Sequence, residues 1–129
     1  MNQIENHKLI EDFVTSIYVK DIDNYGEKSF YPQILKSVSS VNLRKFKGHE
    51  LTCNDITFSS CALGASINSI SRGLNLPRET IRRKISELIK LEWLYRHNSQ
   101  IYVSQKWRVK NLENNLVLIR TLKKLLKNF

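Results

Sequence analysis

The sequence predicts a mainly helical protein with one small β-hairpin, and three observations carry that reading. The 129 residues include only 4 Gly and 2 Pro, too few for the many tight turns of an all-β sandwich. Apolar residues recur with a helical period along much of the chain. One aromatic and β-branched stretch in the C-terminal half breaks that period and is split by a polar tip, as a hairpin requires. Composition fits a globular chain, at 41% hydrophobic and 26% charged. A single domain of this size buries about two thirds of its unfolded surface, so neither metal nor disulfides are needed for folding.

Taken in order, Leu9, Ile10, Phe13, Val14, Ile17 and Tyr18 form one face of a helix predicted over residues 5–20, stopped in the turn region 21–26. Ser29 is placed to cap a second helix, with Pro32 in its first turn. Phe30, Tyr31, Ile34, Leu35 and Val38 supply its buried face, and it fades before Gly48. Residues 1–48 are thus N-terminal helices. Residues 47–65 show no clean period and read mostly as loop, with a short helix or strand expected near 55–62, because so long a loop is uncommon. From Ser66 the signal sharpens. Ile67, Ile70 and Leu74 share one face of a short helix, and Asn75 suits the left-handed residue that ends it. Pro77 opens the next helix, with Glu79 complementing its positive end. Ile81, Ile85, Leu88 and Ile89 form that helix's apolar stripe, and two helices joined by so short a turn make a helix-turn-helix. Residues 93–96 and 101–104 then read as a hairpin around His97-Asn98-Ser99-Gln100. Residues 111–129 form a last helix. Its Leu112, Leu116, Leu118, Ile119, Leu122, Leu125, Leu126 and Phe129 cover about half the circumference, wider than the ~100° stripe of a helix resting on one core.

The chain is basic, with 21 Lys+Arg against 12 Asp+Glu and a net charge of +9. That charge is concentrated. Residues 1–27 carry a balance of −4, whereas 66–110 carry ten basic and three acidic side chains. Such a field attracts polyanions, chiefly nucleic acid or anionic membrane. No apolar run approaches the length of a membrane span. The acidic, amphipathic start is unlike a signal peptide, and two cysteines make no secreted disulfide framework. The expectation is a reduced, cytoplasmic protein without a membrane partner.

Helix, turn, helix and hairpin in that order make a winged helix. Residues 66–104 resemble the winged helix-turn-helix of bacterial transcription regulators, in the broad group that includes the MarR, GntR and Crp-like families. The run Ile70-Ser71-Arg72-Gly73-Leu74-Asn75-Leu76-Pro77-Arg78-Glu79-Thr80-Ile81-Arg82-Arg83 fits that group's usual "IS..L.IP..TVRR" wording. Leu88, the Trp93-Leu94 pair and the hairpin fall where the group has them. The resemblance implies a nucleoid-associated DNA-binding regulator whose recognition helix, about 77–91, enters the major groove. The wing differs from many relatives in being short and in lacking a basic pair at its tip.

On a helical wheel at about 100° per residue, the apolar stripe of 77–91 centres near ~25°, with Glu79 near ~160° and Arg83 near ~200°. A recognition helix reads bases with its N-terminal half, which makes Arg83 the candidate for a bidentate guanine contact. Thr80 is placed for a thymine methyl or a phosphate, and Glu79 for a cytosine amine. Arg78 and Arg82 suit backbone phosphates, which position more than they specify. Asn68 and Ser69 would offer free N–H groups at the start of the preceding helix, and Arg96 on the hairpin completes the candidate DNA contacts. The bland alternative is a solvated helix face held by ion pairs such as Glu79 with Arg83, four residues apart. A non-sequence-specific nucleic-acid-binding or protein-interaction module is the other functional reading.

The broad apolar face of 111–129 points to a homodimer through Leu112, Leu116, Leu118, Ile119, Leu122, Leu125 and Leu126. Regulators resembling MarR dimerise through terminal helices. Packing on the N-terminal helix within one monomer is the alternative, and a basic amphipathic helix on a membrane surface is a third. No catalytic constellation emerges. His7, His49 and His97 stand apart from any triad, and no glycine-rich phosphate loop occurs. His49, Cys53 and Cys61 match no common zinc spacing. No enzyme activity, metal or cofactor is expected.

Overall fold

Residues 3–26, 30–48 and 50–127 are described by a computed structural model. Among them are six helices and one two-stranded antiparallel sheet: α1 (Gln3–Tyr25), α2 (Tyr31–Leu43), α3 (Asp55–Cys61), α4 (Ile67–Leu74), α5 (Arg78–Lys90), β1 (Leu94–His97), β2 (Gln100–Val103) and α6 (Gln105–Leu126). The mainly helical class with a small hairpin is therefore correct. The described residues within 1–28 and 111–129 make one compact unit, and those within 29–110 make another.

In the first unit, α1 runs past the predicted 5–20 at both ends. Nothing in 21–25 breaks it, and it stops only at Gly26, whose φ of 67° no helix accepts and whose N–H closes on Ile22 O at 2.7 Å. No α1 residue is fully buried. In the same unit, Leu125 of α6 is buried and Leu118 half-buried.

The second unit holds the core. Ile34, Leu35 and Val38 of α2, Phe58 of α3, Ile70 of α4, Ile81, Ile85 and Leu88 of α5, and Val103 of β2 are all sealed from solvent. The cap expected from Ser29 lies outside the described residues. Phe30 stands at the N-cap of α2 with φ 72° and no side-chain cap, and Pro32 is in the first turn as expected. Within 47–65 the structure resolves the loop reading into α3, started by Asn54 Oδ1 accepting from Thr57 N–H at 2.8 Å. The hairpin pairs Leu94 with Val103, Tyr95 with Tyr102, Arg96 with Ile101 and His97 with Gln100. Its turn is Asn98-Ser99, with φ of 49° and 62°, the two-residue type I′ form. Both strands are thus shifted one residue toward the tip. Ala65 exchanges two 2.9 Å bonds with Ile101 as a one-residue third strand. Gly64 permits that approach, since a Cβ there would stand 2.3 Å from Gln100 Cβ. Finally, α6 begins six residues before the predicted 111. Ser104 Oγ accepts from Trp107 N–H at 3.2 Å, and Trp107 is buried, so the helix is anchored in this core from its first turn.

Candidate nucleic-acid interface

The position of α5 is set from both ends. At its entrance, α4 terminates at Asn75 with φ 54° and ψ 46°. Asn75 N–H reaches Arg72 O at 3.4 Å and Leu76 N–H reaches Ser71 O at 3.1 Å, the paired bonds of a Schellman ending. The Ser71 hydroxyl donates to Leu76 O and stiffens the same turn. At the far end, Glu92 takes the left-handed position with φ 63°. Its N–H bonds Ile89 O and that of Trp93 bonds Leu88 O, both at 3.0 Å. Between these stops, Ile81, Ile85 and Leu88 lock one face into the core. A further tie comes from α2, where Tyr31 Oη donates to Glu87 Oε2 at 2.9 Å. Burial, then the adjacent Glu87 carboxylate, pushes the Tyr31 phenol up to about 12.

On the N-terminal half of α5, Glu79 and Arg83 are exposed opposite the buried stripe, Arg82 is exposed on its flank and Arg78 in the first turn, and Thr80 is half-buried beside them. The ion pair on this face is not Glu79 with Arg83. Glu79 Oε2 accepts from Arg82 Nε at 3.0 Å, and Glu79 Oε1 accepts from Arg82 Nη2. This fork, rather than the weaker field of Arg83, chiefly holds the Glu79 carboxyl below its usual range. Arg78 and Arg83 make no ion pair among the described residues.

The expectation for Ser69 needs correction. Its N–H is not free but donates to Ser66 Oγ at 3.1 Å, and its own Oγ accepts from Ser66 N–H at 3.1 Å. This reciprocal capping box satisfies the start of α4 internally. Asn68 is exposed on the same turn, and Arg96 is exposed on β1. Of the residues expected at a dimer interface, Leu112, Leu116, Ile119, Leu122 and Leu126 remain exposed. Leu125 is buried within the chain and so cannot serve a partner. Phe129 and His49 lie outside the described residues, among which no group of three His, Cys, Asp or Glu is arranged to hold a metal. No helix among them is long and apolar enough to cross a membrane.

Two buried polar residues of the second unit, Asn42 and Arg108, escaped the sequence reading. Asn42 Nδ2 donates to Leu63 O at 2.7 Å and Ile101 O at 3.2 Å, while its Oδ1 accepts from Val103 N–H at 3.0 Å. Arg108 donates to Val103 O at 3.1 Å, Leu51 O at 2.7 Å and Cys53 O at 2.8 Å. Neither has a local sequence signal, because all their partners except Val103 for Arg108 lie more than twenty residues away in the chain. Trp93 carries Lys106 Nζ at 4.4 Å and Lys110 Nζ at 5.6 Å from its ring centroid, which places two more cations at the base of the hairpin.

No protein-family model, curated protein or solved structure matches this chain.

Proposed function

We propose that the chain is a winged helix-turn-helix protein that binds double-stranded DNA as a bacterial transcriptional regulator, with α5 as its recognition helix. The observation that carries the reading is the two-sidedness of α5: a sealed Ile81–Ile85–Leu88 face and, opposite it, exposed Glu79 and Arg83, with Arg82 exposed on the flank and Arg78 exposed at the helix start. The order α4, tight turn, α5 and hairpin supports it, as does the bridge from Ala65 to β2. Arg83 is the base-reading side chain and Arg78 a phosphate contact, both being exposed and without an ion pair among the described residues. Asn68, Thr80 and Arg96 flank them. A homodimer through the exposed apolar face of α6 would present two copies of α5, and the place of action would be the cytoplasmic nucleoid.

One observation favours a second reading, non-sequence-specific nucleic-acid binding. The Glu79–Arg82 fork engages two side chains that would otherwise meet bases or phosphates. Duplex titration of Arg83→Ala separates the two. A base-reading Arg83 costs about 1–3 kcal/mol on a preferred site and relaxes its sequence preference. Equal loss on every sequence would leave only the phosphate role.

A further inference from the structure

A cleft of about 520 Å³ opens between α2 and α4, bounded by Gln100 at the start of β2. Its lining is polar in a one-sided way. Ser37 and Ser40 from α2, Arg44 just beyond it, Arg72 from α4 and Gln100 contribute side chains that can donate hydrogen bonds, and no carboxylate faces them among the described residues. None of these five side chains has a hydrogen-bond or ion-pair partner among the described residues. Ser66 also lines the cleft. Its oxygen accepts from Ser69 N–H, leaving its hydroxyl proton available to a ligand.

We propose that this cleft is an anion site that takes a phosphate group. Two guanidinium forks match the oxygens of phosphate in pairs. The serine hydroxyls and the Gln100 amide offer further donors to a group that only accepts. The volume lies within the ~300–1,000 Å³ of small-molecule sites, so the cleft also has room for the body that carries the phosphate. That body is either a free phosphate-bearing small molecule or the backbone of a duplex. The inference does not depend on the reading of α5, because Arg44 and Arg72 are not among the side chains assigned to it. Gly73 forms a bare part of the wall: a Cβ there would meet nothing nearer than Ser37 Oγ at 3.9 Å.

The test is amide-resolved titration of the full chain with inorganic pyrophosphate and, separately, with a short random-sequence duplex. Four proteins are compared: wild type, Arg44→Gln/Arg72→Gln, Gly73→Leu, and a charge-matched control, Lys20→Gln/Arg120→Gln. The expected result is saturable shifts at residues 37–44 and 63–73. Affinity should fall at least tenfold in the double arginine variant and in Gly73→Leu, and stay unchanged in the control. Gly73→Leu blocks the cleft sterically while raising helix propensity, so lost binding there is not lost folding. If pyrophosphate produces these shifts, the source is a free phosphate ligand. If only the duplex does, and the double arginine variant abolishes them, the source is the nucleic-acid backbone. Absence of local shifts with both probes, or shifts that survive Arg44→Gln/Arg72→Gln, overturns the proposal.

Discussion

Arg108 donates from Nη2 to Asp55 Oδ1 at 2.6 Å, with its guanidinium carbon 3.9 Å from the centroid of the Phe58 ring. The side chain is almost wholly buried, yet each of its three nitrogens is answered: Val103 O at Nε, Leu51 O and Cys53 O at Nη1, and the Asp55 carboxylate at Nη2. The same Asp55 Oδ1 accepts from Gln105 N–H at 2.8 Å, at the first turn of α6. One ion pair thus fastens the 51–55 segment, the start of α3, the end of β2 and the start of α6 together.

Removing Arg108 leaves the Leu51, Cys53 and Val103 carbonyls without their donor and the half-exposed Asp55 carboxylate without its cation, and strips the packing from Phe58. Arg108→Ala is expected to destabilise the protein by about 3–5 kcal/mol, the sum of several unanswered acceptors and the lost packing. Asp55→Asn keeps the shape and the acceptor and should cost less, about 1–3 kcal/mol. Urea denaturation followed by circular dichroism measures both. A loss below ~1 kcal/mol for Arg108→Ala would mean that the pair does not hold these segments together.

The elements of residues 66–104 were legible in the sequence for a physical reason. Their signals are local: Asn75 and Pro77 punctuate the turn, and Ile81, Ile85 and Leu88 repeat at the helical period. The hairpin's type I′ turn was less plain, because Ser99 stands where glycine is favoured. The start of α6 was missed because its anchor, Trp107, stands next to the hairpin before the apolar helical period of 111–129 begins, and its burial has no signature in that period. Asn42 and Arg108 were illegible because a buried polar residue takes its meaning from distant backbone partners. Within the candidate site the exposed arginines were readable from the wheel. Which of them Glu79 would engage was not: three-residue and four-residue pairs are both close on a helix, and Arg82 rather than Arg83 closes the fork.

Glu92 and Ser99 occupy left-handed backbone with φ of 63° and 62°. Glycine adopts that region without strain, so Glu92→Gly and Ser99→Gly should each stabilise the fold by about 0.5–1 kcal/mol. Thermal melts of the two variants and their combination check this. A lower midpoint for both single variants would contradict the assigned Schellman and type I′ geometries.

Two phenols titrate late. Burial pushes Tyr31 and Tyr95 up to about 12 from the ordinary 10, with Glu87 adding to the first and the Asp55 charge to the second. The folded state therefore keeps protons that the unfolded chain releases first. Their contribution to stability is complete below about pH 10 and declines as pH rises from 10 to 12. Phenolate absorbance of the native protein should lag that of the unfolded chain, and Tyr31→Phe and Tyr95→Phe should each remove one lagging group. Coincident native and unfolded titrations would refute the shifts.

Leu116 and Ile119 on α6 are 49% and 46% exposed. Because neither is buried in the chain, Leu116→Glu/Ile119→Glu should leave the fold intact. It should raise the dissociation constant of a homodimer by at least about tenfold, by placing charge in an apolar contact. Light scattering across a concentration series reads the outcome. A wild-type chain that stays monomeric at micromolar concentration, with and without DNA, would exclude this interface.

Base reading by α5 is tested most directly by selection of duplexes from a random library by the intact protein near physiological salt, in parallel with Arg83→Ala. A homodimer that reads bases through α5 enriches one near-palindromic motif with half-site centres about 34 Å apart. It should be favoured by about 10³ or more over random DNA, with the preference relaxed at one base position when Arg83 is removed. No enriched motif, or the same motif at the same strength with Arg83→Ala, would contradict base reading by α5.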